Sequence, residues 1–461
     1  MASHPRHRSG IDPHLVPASL WTRDFLRRCS AEPGSSTLTI TLKRTDGTAS
    51  LFQTRLLPSG LDDAANYLHA ERTVKFLLWS RGAPEILLTG PLASSLAEQL
   101  QVAYSPAGLR AFDADFFFKI FEKPIRFRVE EQSALPAAST AHLPLGRHLD
   151  GCRIGFDLGG SDRKCAALID GKVVYSEEVK WDPYFQTDPQ YHLDGIRDSL
   201  ALAAKHLPRV DAIGGSSAGV YINNKVCVGS LFRGITDPEV FEVKVRNMFL
   251  DLAAEFRVPL EVLNDGDVTA LAASMSLGRN AVLGVAMGTS VAAGYVDMGG
   301  NLTNWLSELA FVPVDYRQGG PVDEWSGDTG CAVQYFSQQG VGRLLPLAGI
   351  MLPAAMRLPE QLEELQRLLL AGDNRAMQVY EAIGIALGYA IAHFATFYEM
   401  NSMLIMGRVT SGPGGAIIIQ RAQAVMCDEF PELRIDLMAP PEKDKRHGQA
   451  IAAASLPPLR R

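Results

Sequence analysis

The chain has 461 residues, of which 47% are hydrophobic and 21% charged, and it carries a formal net charge of -7 at pH 7. That length admits two or three domains, and the composition excludes a disordered chain. The excess of acid argues against nucleic-acid partners, which need clustered Lys and Arg to neutralise phosphates, and favours small molecules.

The N-terminus, "MASHPRHRSGIDPH", is basic and lacks the apolar core of a signal peptide. Six cysteines are scattered without a CxxC pair, as reduced, mostly buried thiols would be. Together these predict a cytoplasmic protein whose residues 1–35 form a flexible arm. Residues 36–129 read as a small α/β domain: two strand-like runs around the Asp46-Gly47 turn, a helix over "LDDAANYLHAERTVKFLLWSRG", and a strand beginning at Glu85. The Ala-, Pro- and Ser-rich stretch 130–150 reads as a linker.

From Cys152 the pattern alternates strand and helix, which predicts a mostly parallel sheet with ligands at strand ends. "GFDLGGSDRKCAALIDG" is a strand, a glycine turn and a second strand, and "AVLGVAMGTSVAAGYV" repeats that design about 130 residues later. "VLNDGDVTALAA" ends a strand at Asn264-Asp265 and begins a helix. "YEAIGIALGYAIAHFATFYEM" approaches membrane-spanning length, but Glu381, His393 and Glu399 interrupt it and its small residues suit close packing in a soluble core. A strand "SMLIMG", a glycine cluster and an Ala-rich closing helix follow.

Turns of small residues let backbone N–H groups converge on an anion, and Gly159, Gly160, Ser161 and Gly288, Thr289, Ser290 offer two such turns. Asp157 is an acid in an apolar strand. Either the turn's own N–H groups satisfy it or it faces a hydrated Mg²⁺ on nucleotide phosphates. Asp265 at a strand end can take a proton from an attacking hydroxyl, and helix capping is the alternative task for this Asn-Asp segment.

In combination these pieces resemble the actin, hexokinase and Hsp70-like ATPase fold, and more narrowly the ROK family of sugar kinases and sugar-responsive repressors, from about Arg153 to the C-terminus. "FDLGGS" resembles the family's DxGGT hairpin, "VLNDGDVTALAA" its ENDANAAA segment, and "GVAMGTSVAAGYV" its second phosphate hairpin. "LSELAFVPVD" is similar to GExGHxxVD, "LIMGRVTSGPGG" to the adenosine-holding turn, and "HGQAIAAA" to the closing helix.

The resemblance implies a two-lobed α/β kinase with an extra N-terminal domain. Its lobes would be 151–268, completed by a closing helix over 445–461, and 269–444. Asp265 would be the catalytic base and Asp157 the metal-facing carboxylate. Asn264 and Glu308 would bind the acceptor, and the two hairpins with Gly407, Gly414 and Gly415 would hold ATP. Ser217, Gly219, Asn223, Asn224 and Arg233 occupy the place of the substrate loops, and they suit turn roles equally.

The departures are Phe311 at the family's histidine and the survival of only Gly327, Gly330 and Cys331 from its zinc motif, so ATP and Mg²⁺ are expected and zinc is not. No helix-turn-helix is evident in residues 1–150, where a decayed copy of the first lobe, a lid and a dimerisation module all stay open. The expected function is ATP-dependent phosphorylation of a sugar or polyol by a homodimer. A sugar-binding regulator that transfers no phosphate is the alternative.

Overall fold

The computed structural model describes residues 4–439 and 448–459; residues 1–3 of the expected arm, 440–444 of the second lobe, and 445–447 and 460–461 of the closing helix lie outside them. The N-terminal unit contains α1 (Ala18–Ala31), β1 (Ser36–Lys43), β2 (Ala49–Leu56), α2 (Asp63–Arg81), β3 (Glu85–Thr89), α3 (Ala93–Ala103), α4 (Ala111–Phe121) and β4 (Arg126–Val129). Its sheet runs β2-β1-β3-β4. The Asp62 side chain caps α2 by accepting the Ala65 N–H at 3.1 Å, and Gly82 ends that helix at φ 74°.

Residues 18–31 are not a flexible arm but a docked helix. Leu20, Phe25 and Cys29 bury one face of α1, while Arg27 and Arg28 stay exposed on the other and mask the apolar stripe in the composition. Upstream of α1, Asp12 is gripped by Arg317 and Arg343, each at 2.7 Å. The 130–150 stretch is also fastened. The Ser139 N–H donates to the Ala49 carbonyl at 2.8 Å, and β5 (His142–Leu143) extends a sheet of the second lobe.

The first lobe follows with β6 (Cys152–Leu158), β7 (Asp162–Ile169), β8 (Lys172–Lys180), α5 (Pro189–Ala204) and β9 (Ala212–Ser217). It continues through the hairpin of β10 (Val220–Ile222) and β11 (Lys225–Val228), a single turn α6 (Pro238–Val240), α7 (Met248–Phe256) and β12 (Leu260–Asn264). Helix α8 (Asp265–Leu277) leads into β13 (Val282–Met287), β14 (Val291–Val296) and β15 (Leu302–Thr303). Helices α9 (Val333–Phe336), α10 (Gln338–Leu347), α11 (Leu358–Leu370) and α12 (Asn374–Phe394) precede β16 (Ser402–Met406), α13 (Pro413–Glu429), β17 (Asp436–Met438) and α14 (Gly448–Ala454).

The two lobe sheets repeat one plan: β12-β9-β6-β7-β8 in the first, and β17-β16-β13-β14-β15 plus the added β5 in the second. Neither is mostly parallel. Each is parallel on one side of its central strand, β6 or β13, and antiparallel on the other, because the opening hairpin is joined by a tight turn while the later strands return through helices. The N-terminal sheet breaks this plan. Its β3 returns antiparallel to β1, whereas β9 returns parallel to β6, so strand direction opposes a copy of the first lobe.

Among the described residues no helix is long and apolar enough to cross a membrane, and α12 is buried in the protein core. One continuous core joins the N-terminal unit (Phe25, Trp79, Phe117) to the second lobe (Leu283, Tyr380, Ile405), while the first lobe has its own around Phe156, Phe249 and Val262. The lobes meet through crossed helices: α8 packs on β13 and β14, and α14 packs on β6 and β9. A Cβ on Gly155 would overlap the Ala450 carbonyl of α14, so bare backbone is needed for this approach. Gly155→Ala should therefore lower unfolding free energy by about 1–3 kcal/mol in denaturant titration; an unchanged midpoint would show that α14 does not lie there.

Candidate functional site

The first glycine turn meets the turn after β16 through Ser161 and Arg408, and Asp265 at the β12–α8 junction lies within electrostatic reach of Asp157 and Glu308. In the first turn the Gly159 N–H donates to the Asp162 carbonyl at 2.9 Å, and the Trp181 indole donates to the Gly159 carbonyl at 2.7 Å. In the second, the Gly288 N–H donates to the Ser290 carbonyl at 2.9 Å, and Thr289 and Ser290 are exposed. A Cβ at Gly288 would meet only the Ser290 carbonyl oxygen, at 3.9 Å, which leaves the backbone approachable. The Arg408 guanidinium, from the turn after β16, donates to Ser161 Oγ at 3.3 Å and bridges the two lobes.

Asp157 is 7% exposed and its Oδ1 accepts a 2.6 Å hydrogen bond from Ser216 Oγ. Lys164 stands opposite it across β6 and β7, with Nζ 4.0 Å from Asp157 Oδ2 and 3.3 Å from Asp162 Oδ1. Burial pushes the Asp157 carboxyl up while Lys164 and Ser216 pull it back. Asp157 therefore has partners other than the turn's N–H groups, and this single carboxylate could hold a metal only through water, in competition with the Lys164 ammonium beside it. Among the described residues no three His, Cys, Asp or Glu side chains are grouped to hold a metal. Arg163 faces elsewhere: it donates to Ser199 Oγ at 2.6 Å and pairs with Asp198 on α5.

At the β12–α8 junction Asn264 performs the capping, its Oδ1 accepting the Gly266 N–H at 2.7 Å. Its Nδ2 donates to the Gly219 carbonyl at 2.6 Å and to Glu308 Oε1 at 3.2 Å. Asp265 shares that donor, its Oδ1 receiving the same Gly266 N–H at the longer distance of 3.1 Å. Desolvation, and then the charge of Asp157, push the Asp265 carboxyl up to about 6. Glu308 is pushed up to about 8 by desolvation and by Asp265 and Asp267. Asp267, unnoticed in the sequence as more than a cap, is raised by the same two causes: burial and Asp265.

The remaining expected residues divide. Ser217 shares a 2.6 Å hydrogen bond with the Tyr221 hydroxyl at the end of β9. Asn223 and Asn224 form the tip of the β10–β11 hairpin at φ 52° and 61°, where Asn is tolerated, and Asn224 donates to Leu260 O at 2.9 Å. Gly414 packs on the Tyr380 ring and Gly415 on the Thr410 carbonyl, so both serve the seating of α13, while Gly407 lies against Met287. Arg233 is exposed, and its guanidinium stacks 3.9 Å from the centre of the Tyr184 ring.

Tyr184 escaped the sequence reading. Its hydroxyl lies over the bare backbone of Gly160, within electrostatic reach of Asp265, and the backbone of Phe185 and Gln186 rests on Gly234. A loop tyrosine gives no periodic signal. Lys164 could have been found, because the hairpin register sets it directly opposite Asp157.

Glu308 is presented by the N-terminal unit. The Ser307 and Glu308 N–H groups donate to the Ser80 and Trp79 carbonyls at the end of α2, both at 2.9 Å. Phe311, at the expected histidine position, packs on Trp79 with ring centres 4.4 Å apart and on Phe112 at 5.4 Å, so this position belongs to an aromatic core. Near Cys331, Ser326 donates to Asp323 Oδ2 at 2.6 Å, and Asp328 is surrounded by Arg72, Lys75 and Arg110.

No family model matches the sequence, and no curated protein matches it. Solved structures do. A ROK family glucokinase from Streptomyces griseus, solved with glucose and AMPPNP, superposes at TM-score 0.53 and 16% identity over 66% of this chain and 98% of its own. A ROK hexokinase from Thermus thermophilus gives 0.52 at 18% identity over 66% and 98%. A ROK family transcriptional regulator, homologous to the E. coli MLC protein, gives 0.54 at 19% identity over 67% and 78%. The chain therefore has the two-lobed actin-like ATPase fold shared by these ROK proteins, with an additional N-terminal unit.

Proposed function

We propose that this protein is an ATP- and Mg²⁺-dependent kinase that phosphorylates a hydroxyl of a sugar or polyol. The observation that carries the reading is the Asn264–Asp265–Glu308 group: a carboxyl pushed up to about 6, with Asn264 taking the shorter capping bond, beside an amide and a second carboxyl joined by a hydrogen bond. Bound Mg·ATP supplies the phosphoryl group and the charge neutralisation. The two glycine turns and Arg408 would bind its phosphates, and Asp157 with Ser216 would orient the metal through water.

Asn264 and Glu308 would hold the acceptor. Asp265 would accept the proton of the acceptor hydroxyl as its oxygen bonds to phosphorus and the bond to the departing ADP breaks. Near neutral pH Glu308, at about 8, keeps its proton and can donate a hydrogen bond to the acceptor.

The pH profile follows from the signs. A base whose pKa is raised to about 6 is inactive below that pH, so kcat/KM should rise as pH passes upward through about 6. It should fall again above about 8 as Glu308 ionises. Because the carboxyls interact, the two limbs belong to the group rather than to single residues. Asp265→Asn should reduce turnover about 10²–10⁴-fold with ligand binding retained; normal turnover by this variant would remove Asp265 as the base.

A second reading, a sugar-binding regulator without transfer, is favoured by Tyr184 over Gly160 and Lys164 beside Asp157, which place the chain's own groups where phosphate and metal are expected. Thermal-shift measurements separate the two. The kinase is stabilised by both Mg·AMPPNP and a sugar, and the regulator by the sugar alone.

A further inference from the structure

Lys75 is fully buried, 0% exposed at its side chain, and a buried ammonium is tolerable only when paired. Its Nζ lies 2.7 Å from Asp328 Oδ2 and 3.2 Å from Asp113 Oδ2. Arg72 reaches the same Asp328 oxygen at 3.0 Å, and Arg110 pairs with its other oxygen and with Glu71 at 2.6 Å. Glu71 also receives Arg72. Three cations of the N-terminal unit therefore close on one carboxylate of the second-lobe loop. Arg72 and Lys75 sit on α2, and one turn further on the same helix presents the Trp79 and Ser80 carbonyls to the Glu308 and Ser307 N–H groups.

Ser307 lies at φ 49°, a left-handed conformation that costs a non-glycine residue energy and persists only when its surroundings fix it. The α2 carbonyls and the Tyr398 hydroxyl, 3.3 Å from Ser307 Oγ, are those surroundings. The kink they hold aims Glu308 at Asn264.

We propose that Arg72, Lys75, Arg110 and Asp328 are positioning residues that set Glu308 by locking the axial place of α2 against the second lobe. The N-terminal unit is then a working part of the acceptor side of the cleft. The proposal rests on the kinase reading only for what Glu308 binds; the placement of Glu308 is independent of it.

Hydrogen exchange on the full chain tests it. Arg72→Gln, which leaves Lys75 and Arg110 on Asp328, should speed exchange at the Ser307 and Glu308 amides at least tenfold. Peptides covering 155–165 and 282–296 should be unchanged, and Arg72→Lys should restore most of the protection. In turnover assays the same variant should raise the acceptor KM with the nucleotide KM unchanged. Faster exchange confined to α2 and residues 321–331, or spread evenly over the chain, would overturn the proposal. If Asp328→Asn folds, it should reproduce the Arg72→Gln pattern more strongly. Because exchange needs no activity, a chain that transfers no phosphate yet shows this pattern would refute the kinase reading and leave the positioning role standing.

Discussion

The close approach of α8 to β14 is the constraint on which the site depends. Asn264 and Asp265 end a strand of the first lobe, yet the helix they start lies against the hairpin strands of the second. That is possible because a Cβ on Gly266 would overlap the Ala293 carbonyl and one on Gly294 would overlap Gly266 in turn. With bare backbone on both sides, the carboxyl of Asp265 is brought within electrostatic reach of Asp157 in the first-lobe sheet and of Glu308 after β15. The reciprocal crossing of α14 over β6 and β9 makes the joint two-sided, so the lobes share a pair of helices and keep separate sheets. Two sheets joined by a crossed pair of helices and otherwise separately supported follow from this geometry.

Electrostatics give the site its character. Four carboxyls, Asp157, Asp265, Asp267 and Glu308, lie within electrostatic reach of one another with Lys164 beside Asp157, and burial with mutual repulsion spreads their proton affinities. A spread of this kind divides acid and base tasks among like residues. The opposite arrangement holds the wall behind Glu308, where Asp328 is enclosed by three cations. One acidic group is left poised by repulsion, and the other is immobilised by attraction.

The hairpins and the β12–α8 junction were legible because apolar runs of period two flank glycines or end at Asn-Asp, and these patterns are local. Helix α1 was not, since Arg23, Arg27 and Arg28 interrupt its apolar positions while Leu20, Phe25 and Cys29 do the packing. The antiparallel return of β3 comes after the 19-residue helix α2, so no local pattern marks its direction. The charges of α2 were the hardest to read. "ERTVK" has the look of a solvated face, and its burial follows from Asp328, which lies 256 positions from Arg72. The substrate-loop asparagines stay open to two tasks, because Asn223 and Asn224 suit a left-handed turn as well as they suit a sugar.

Acceptor-dependent ADP release is the most direct test of the central claim. With purified full-length protein, Mg·ATP and a panel of sugars and polyols, the account predicts release that depends on one acceptor class, requires Mg²⁺ and yields the phosphorylated acceptor in equal amount. Release that is the same with and without every acceptor, or none with any, would contradict it.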